Sequence, residues 1–359
     1  VFGNLDYVSS KNLKMADTML LSKEQKLVKQ INNIFGDGNV KFDVIIGNPP
    51  FQEEAKGTST SDDPIYHLFL EQSYQIAKKV SFITPARFLF NAGKTPKKWN
   101  EKMLNDKHLK VVFYEENSEK VFPNTDIKGG VVVTYRDVDK KLGPIGVFVS
   151  HPELKVVLKK VVRDESQFKS IVPIIYTQNK FNLENLYSDY PESKNKIGNN
   201  GKDKRLDKPV FSRIEAFTEE KIYNQSYKIL GRYKNKRVWR YIHKKYIEPH
   251  ENLNKWKVIL PVSNGTGRFG ETLSTPIVGG PNVGYTRSFI GIGAFDTEYE
   301  AQALLKYIKS KFVRTMLGML KVTQDNTTDK WAKVPMQDFT PNSDIDWSKS
   351  IFSNRSTAL

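Results

Sequence analysis

Cysteine is absent from the 359 residues. Disulfides and thiolate metal sites are therefore excluded. Methylation of a pyrimidine ring carbon through a covalent cysteine adduct falls with them, as does zinc-deaminase chemistry, which needs Cys ligands. Histidine is scarce, with five in the chain. His67, His108, His151 and His243 show no metal-ligand spacing, and His250 sits in a basic loop where a solvated or phosphate-facing role fits better. No metal is expected. Long apolar runs are missing too. None approaches the roughly 18 residues that a membrane span needs. Val1 to Asp6 is no basic-then-apolar signal segment. A cytoplasmic location follows by default. A start at Val rather than Met reads as a fragment, or as a chain whose beginning was not observed.

Positive charge is what the chain has in excess. Lys and Arg total 56 against 40 acidic residues, a net +16, and the mean hydropathy is -0.52. Between Asp189 and Lys257 stand 18 Lys/Arg and 9 Asp/Glu, so this fifth of the chain holds over half of the excess. Phe211, Phe217, Tyr223, Tyr227, Tyr233, Trp239 and Tyr241 are interleaved with these charges. Cations and stacking rings occurring together point to a nucleic-acid partner.

The first 150 residues alternate apolar strand-like runs with helix-like stretches, which predicts an α/β sheet, mostly parallel and doubly wound. Strands are expected at Asn12–Met19, Phe42–Gly47, Val80–Pro85, Val111–Tyr114 and Val131–Tyr135, with Phe42–Gly47 buried on both faces. Helices are expected at Ser22–Ile34, capped by Ser22, and at Ile65–Lys78. Gly36-Asp37-Gly38 reads as a turn and Gln52–Asp63 as a polar loop. Beyond about Ser150 the composition turns polar and charged. Strands at Lys257–Val262 and Phe289–Gly293 precede a long helix over Glu298–Met319. The boundary is expected within residues 140–165, giving domains over 1–150 and 151–359.

Asn48-Pro49-Pro50-Phe51 follows directly after the strand FDVIIG. Strand ends of this kind are where open α/β sheets place their ligands. Two consecutive prolines stiffen the turn and fix the directions of the preceding residue and of the Pro49 carbonyl. Asn48 and Pro49 then offer two acceptors beside the flat apolar face of Phe51. That set suits an exocyclic amino group on a ring. Such an amine is a poor nucleophile because its lone pair is delocalised. Two acceptors that take its N–H protons favour a pyramidal nitrogen, whose lone pair can then attack a sulfonium methyl. Positioning and electrostatics suffice, with no metal. A base in a duplex must first leave the stack, and an aromatic face offsets the stacking it loses.

FDVIIGNPPF resembles motif IV of the amino-methyltransferases that use S-adenosylmethionine. VSFITPARFL (Val80–Leu89) and VFPNTDIKGGVVVTYR (Val121–Arg136) resemble the segments that follow it in that family. The whole chain is similar to the Eco57I-type restriction-modification methylases, which methylate adenine N6 and carry a C-terminal target-recognition domain. Lys321–Phe339 and Asn342–Ile351 resemble that domain's tail. The resemblance implies a partial Rossmann-like methyltransferase domain followed by a mixed α/β recognition domain, with double-stranded DNA as partner. It implies Asn48 and Pro49 as acceptors for the adenine amine, Pro50 as part of their turn, and Phe51, in place of the commoner Tyr, stacking on the flipped base. Phe122 becomes a second wall of the base pocket. Asp17, in LKMADTML, becomes a contact to the donor's adenine.

The family's glycine-rich donor loop has no counterpart in the sixteen residues before Asp17. The main S-adenosylmethionine-binding loop is therefore expected upstream, and an endonuclease, if there is one, is expected there too. Lys234, Lys236, Arg237, Arg240, Lys244, Lys245, Asn264 and Arg268 are the candidates for DNA contact, the last two within the glycine-rich loop Ser263–Glu271. Two alternatives stand beside this reading. One is a DNA-recognition module without catalysis. The other is methylation of RNA or protein, whose enzymes share the Asn-Pro-Pro-aromatic turn.

Overall fold

The computed structural model describes residues 41–53, 62–265 and 275–349, together with residues 28, 29, 31, 32, 269, 271 and 273. Residues 28, 29, 31 and 32 are helical. The strand expected at Asn12–Met19, the Ser22 cap and the Gly36-Asp37-Gly38 turn lie outside the described residues. The chain divides into two compact units, Val1–His151 and Pro152–Leu359, and the fold is mixed α/β.

In the first unit β1 (Phe42–Gly47), β4 (Ala77–Pro85), β6 (Val131–Asp137) and β5 (Leu109–Glu115) form one sheet in the order β1-β4-β6-β5. The short strands β2 (Gln52–Glu53) and β3 (Asp63–Pro64) pair with each other in the Gln52–Asp63 stretch read as a loop. β1 runs parallel to β4, with Gly47 opposite Phe82. β6 is antiparallel to both β4 and β5. Three strands thus point one way and β6 alone reverses, where a mostly parallel sheet was expected. The reason is connectivity. The chain turns from β5 into β6 through residues 116–130 with no crossover helix, and only antiparallel neighbours can be joined directly. β1, β4 and β5 end at the edge where β6 begins. The buried core includes Ile45, Phe69, Phe82, Phe88, Val131 and Val132.

Helix α1 (Tyr66–Ile76) packs on β4 and stops two residues earlier than the sequence predicts, because Ala77 is already extended and opens β4. Helix α2 (Lys97–Asn105) follows β4. β1 is less buried than its apolar run implies. Ile45 is enclosed, but Val44 and Ile46 point to its other face and are 50% and 65% exposed. Successive side chains of β1 point to opposite faces, so one is enclosed and its neighbours are exposed.

The second unit opens with helices α3 (Pro152–Val161) and α4 (Leu183–Asp189). It contains the antiparallel sheet β11-β10-β13-β7, from β11 (Ile277–Gly279), β10 (Trp256–Pro261), β13 (Phe289–Phe295) and β7 (Ile175–Tyr176). A second sheet joins β12 (Val283–Tyr285), β8 (Ser226–Tyr233) and β9 (Lys236–His243). Helix α5 (Glu298–Lys309) packs on β10, β11 and β13 and begins with a capping box in which Thr297 and Glu300 exchange side-chain bonds. The single helix expected over Glu298–Met319 is two. Ser310 is extended (φ -62°, ψ 151°), and its hydroxyl accepts from the Val313 N–H at 3.1 Å, capping α6 (Lys311–Gly318).

This unit's interior holds charged residues, Lys257 and Lys321 among them. Lys257 on β10 is fully buried, and its ammonium donates to the carbonyls of Asn252, Leu253, Gly280 and Val283. Lys321 donates to the Asn264 carbonyl at 2.9 Å. Asn326, in the same segment, donates through Nδ2 to the Pro261 carbonyl at 3.1 Å, and its own carbonyl accepts from the buried indole of Trp331. The Lys321–Trp331 stretch thereby fastens the end of β10.

Candidate active site

The Asn48–Phe51 turn leaves β1 at its C-terminal end and lines a cavity of about 740 Å³ within the first unit. Pro49 is buried, Asn48 is exposed and Phe51 is half-buried. Among the described residues neither the Asn48 side chain nor the Pro49 carbonyl has a hydrogen-bond partner in the protein. The two acceptors that the sequence singles out are unspent. Phe51 is anchored through its backbone, its carbonyl accepting from Ile65 N–H at 3.2 Å. Beyond it Gln52 pairs with Pro64 and Glu53 with Asp63, and Gln52 Nε2 donates to Asp62 at 2.5 Å.

Phe122 reaches the same cavity from the connection between β5 and β6. Its ring meets that of Phe51 edge to face, with centroids 5.8 Å apart and planes at 71°. The connection is braced from within. Phe122 N–H donates to the Ser118 carbonyl at 2.8 Å, its carbonyl accepts from the Thr125 hydroxyl at 2.7 Å, and Ser118 Oγ donates to the Thr125 carbonyl at 3.0 Å.

Three further lining residues escaped the sequence reading. Tyr66, at the start of α1, is buried against the cavity. Burial pushes its phenol well above the ordinary range, while its hydrogen bond with Thr95 and the charge of Arg87 pull the other way; it is neutral at physiological pH. Thr95 donates to Asn100 at 2.7 Å and Asn100 to Asn91 at 3.0 Å, which fixes the loop between β4 and α2. Arg87, just beyond β4, donates through Nε to the Lys128 carbonyl at 2.6 Å.

Asp17 and Arg268 fall outside the described residues. Asn264 is buried, its N–H bonded to the Gln324 carbonyl, and is not presented at the surface. The basic residues cluster on the β8–β9 hairpin. Lys234 and Asn235 form its turn, both with positive φ (47° and 61°), the geometry that matches the strand twist. Lys234 and Lys236 are exposed, and Arg237 lies directly opposite Arg232. Arg237 also donates to the Thr275 carbonyl at 2.9 Å. Burial and then the Arg232 charge push its guanidinium down. Rings underlie the cations: Lys228 over Trp239 at 4.8 Å, Arg240 over Tyr233 at 5.8 Å, Lys244 over Tyr227 at 5.2 Å. Arg240 and Lys245 are already engaged by carboxylates, with Glu219 and Asp189 respectively, each at 2.5 Å.

Residues 3–122 match the family model of the Eco57I restriction-modification methylase. The Eco57I-type resemblance is borne out over that segment, which includes the Asn48–Phe51 turn and ends on Phe122. An uncharacterized adenine-specific methylase of Mycoplasma pneumoniae is 31% identical over 97 residues, 26% of this chain and 23% of that protein. The chain thus spans about a quarter of the length of this curated relative. Two solved structures show distant likeness. One is the Type IIL restriction-modification enzyme MmeI in complex with DNA, with TM-score 0.38 and 13% identity over 88% of this chain and 48% of that one. The other is the type IIG restriction endonuclease BpuSI, with TM-score 0.30 and 11% identity over 87% and 45%.

An Eco57I-type methylase implies S-adenosylmethionine as donor. Asp62 and Asp126, the two carboxylates lining the cavity, are bonded to Gln52 and Lys128. Among the described residues no helix is long and apolar enough to cross a membrane.

Proposed function

We propose that the chain carries the catalytic turn and the DNA-recognition part of a site-specific DNA adenine-N6 methyltransferase of a restriction-modification system. In this reading the first unit is the catalytic one and the second grips double-stranded DNA. The observation that carries it is the pair of unspent acceptors, Asn48 Oδ1 and the Pro49 carbonyl, beside the Phe51 and Phe122 rings. They would accept the two N–H bonds of an extruded adenine. The amine then sits against a rigid turn whose acceptors need no reorganisation. Phe51 and Phe122, in edge-to-face contact, would form the aromatic wall against which the base packs. The neutral Tyr66 adds no charge to this wall, which suits a neutral base. Phosphate-backbone contact is assigned to the β8–β9 hairpin, where Lys234 and Lys236 are exposed and free of carboxylate partners among the described residues.

The test is to express the full-length open reading frame that encodes this chain in a host whose DNA lacks N6-methyladenine and to digest that DNA for mass spectrometry. The modified base is expected with the native sequence. With Asn48→Ala it is expected to fall at least about a hundredfold, as for loss of one transition-state hydrogen-bond partner, while binding to duplex DNA persists. Unchanged methylation in Asn48→Ala would remove the turn from the reaction. DNA binding by the native protein with no methylation would favour a recognition module alone.

A further inference from the structure

The cavity does not end at the aromatic pair. Arg87, on the turn that leaves β4, also lines it. We propose that Arg87 is a phosphate-binding residue, holding the phosphate attached to the nucleotide whose base fills the Asn48–Phe51 end. The assignment rests on reading that end as a base pocket.

Four observations converge on it. First, Arg87 is held in one orientation: Nε is committed to the Lys128 carbonyl at 2.6 Å. The loop before α2 also closes over its stem, where Gly93 (φ +84°) would bring a Cβ within 3.2 Å of Arg87 Cδ. Second, the two terminal amino groups of the guanidinium have no partner among the described residues, and no described carboxylate forms an ion pair with it. Third, the other charges around the cavity are taken up. Lys94 pairs with Asp63 at 2.8 Å, Asp126 with Lys128 at 2.6 Å, and Asp62 accepts from Gln52. Among the described residues Arg87 is therefore the cavity-lining charge without a counterion, and it is half-buried. Fourth, the placement suits a nucleotide. Asn48 and Arg87 leave the same edge of the sheet from adjacent parallel strands, which lie roughly 4.8 Å apart. The base and one sugar lie between an adenine amine and its phosphate, and Asn48 and Arg87 line one cavity of about 740 Å³, so a single nucleotide can reach both. A planar fork with two free N–H pairs matches phosphate oxygens, and the half-buried setting strengthens the bond.

The test compares the binding of adenosine, adenosine 5′-monophosphate and adenosine 3′-monophosphate to the protein by ligand-observed NMR. At least one monophosphate is expected to bind about tenfold more tightly than adenosine, in line with a charged hydrogen bond. Arg87→Ala should abolish that preference and leave adenosine binding unchanged, which also shows that the pocket has stayed folded. Arg87→Gln, which can still donate to the Lys128 carbonyl, should behave as Arg87→Ala does. Equal binding of nucleoside and nucleotides by the native protein overturns the assignment, as does a preference that survives in Arg87→Gln. Those outcomes leave the base pocket standing. Failure of all three ligands to bind, or adenosine binding unaffected by Phe51→Ala, removes the base pocket and this assignment with it.

Discussion

The rings of Phe51 and Phe122 stand edge to face, 5.8 Å between centroids, although 70 residues separate them in the chain. One belongs to the turn after β1 and the other to the connection between β5 and β6, so their contact is a product of the sheet. Stacking of a base on an aromatic side chain is worth about 1–3 kcal/mol. Phe122→Ala is therefore expected to lower kcat/KM for DNA methylation by about tenfold or more. Phe51→Tyr should leave it within about threefold, since the ring remains. Steady-state methylation assays with equal unfolding midpoints for native and variant proteins check both.

The β8–β9 hairpin sets Arg232 across from Arg237 in register, a like-charge pair that costs stability unless an anion lies between them. Its tip adds Lys234 and Lys236. Replacing these two lysines with alanine is expected to reduce the slope of log affinity against log salt by about 2, or roughly 0.9 per lost phosphate contact. The effect should be the same on any duplex sequence. Fluorescence anisotropy at several salt concentrations reads the slope, and an unchanged slope would take the hairpin off the phosphate backbone.

Lys257 offers a pH test of the second unit. Burial pushes its ammonium down to about 7, from an ordinary value of 10.5. Between those two values the unfolded chain keeps the proton and the folded chain has released it. Raising the pH across this window therefore favours the folded state, and lowering it toward 7 withdraws the gain. The native protein should become more stable relative to Lys257→Met between pH 7 and 9.5, by a few kcal/mol at most. Urea unfolding of both proteins at the two pH values measures the difference; parallel curves would mean that Lys257 stays charged throughout.

Gly130 supports the site from below. It has φ +77°, its carbonyl accepts from Ala86 N–H at 2.9 Å, and a Cβ there would lie 2.2 Å from the Glu115 carbonyl oxygen. Backbone, not a flexible side chain, stands in the way. Gly130→Ala is expected to destabilise the first unit by about 2 kcal/mol or more and to disturb both Phe122 and Arg87. Thermal unfolding together with adenosine binding checks this.

Some of this was open to reading in the sequence, and the reasons are physical. A continuous apolar run closed by two prolines gives a strand and its rigid exit, so β1 and the Asn48–Phe51 turn could be placed residue by residue. Strand direction leaves no such trace. Val131–Tyr135 reads as a strand, but nothing in VVVTY says that β6 runs against its neighbours. The break at Ser310 was hidden because apolar spacing continues through it and a capping serine looks like any other polar residue. Nothing in the sequence marks Lys257 as buried, since a cage of backbone carbonyls has no sequence signature. Arg87 and Tyr66 were missed for a related reason: each lines the cavity only because β4 lies beside β1.

The reversal of β6 has a consequence for how such a pocket can change. The floor of the cavity and one of its jaws come from strand exits that the sheet holds rigidly, while the opposing jaw hangs from a return connection with its own internal bracing. An insertion or deletion within residues 116–130 can widen or narrow the slot while the Asn48 turn stays where it is. On the proposed reading, the fit to the base and the handling of its amine can therefore drift apart in evolution, one adjusted and the other left alone.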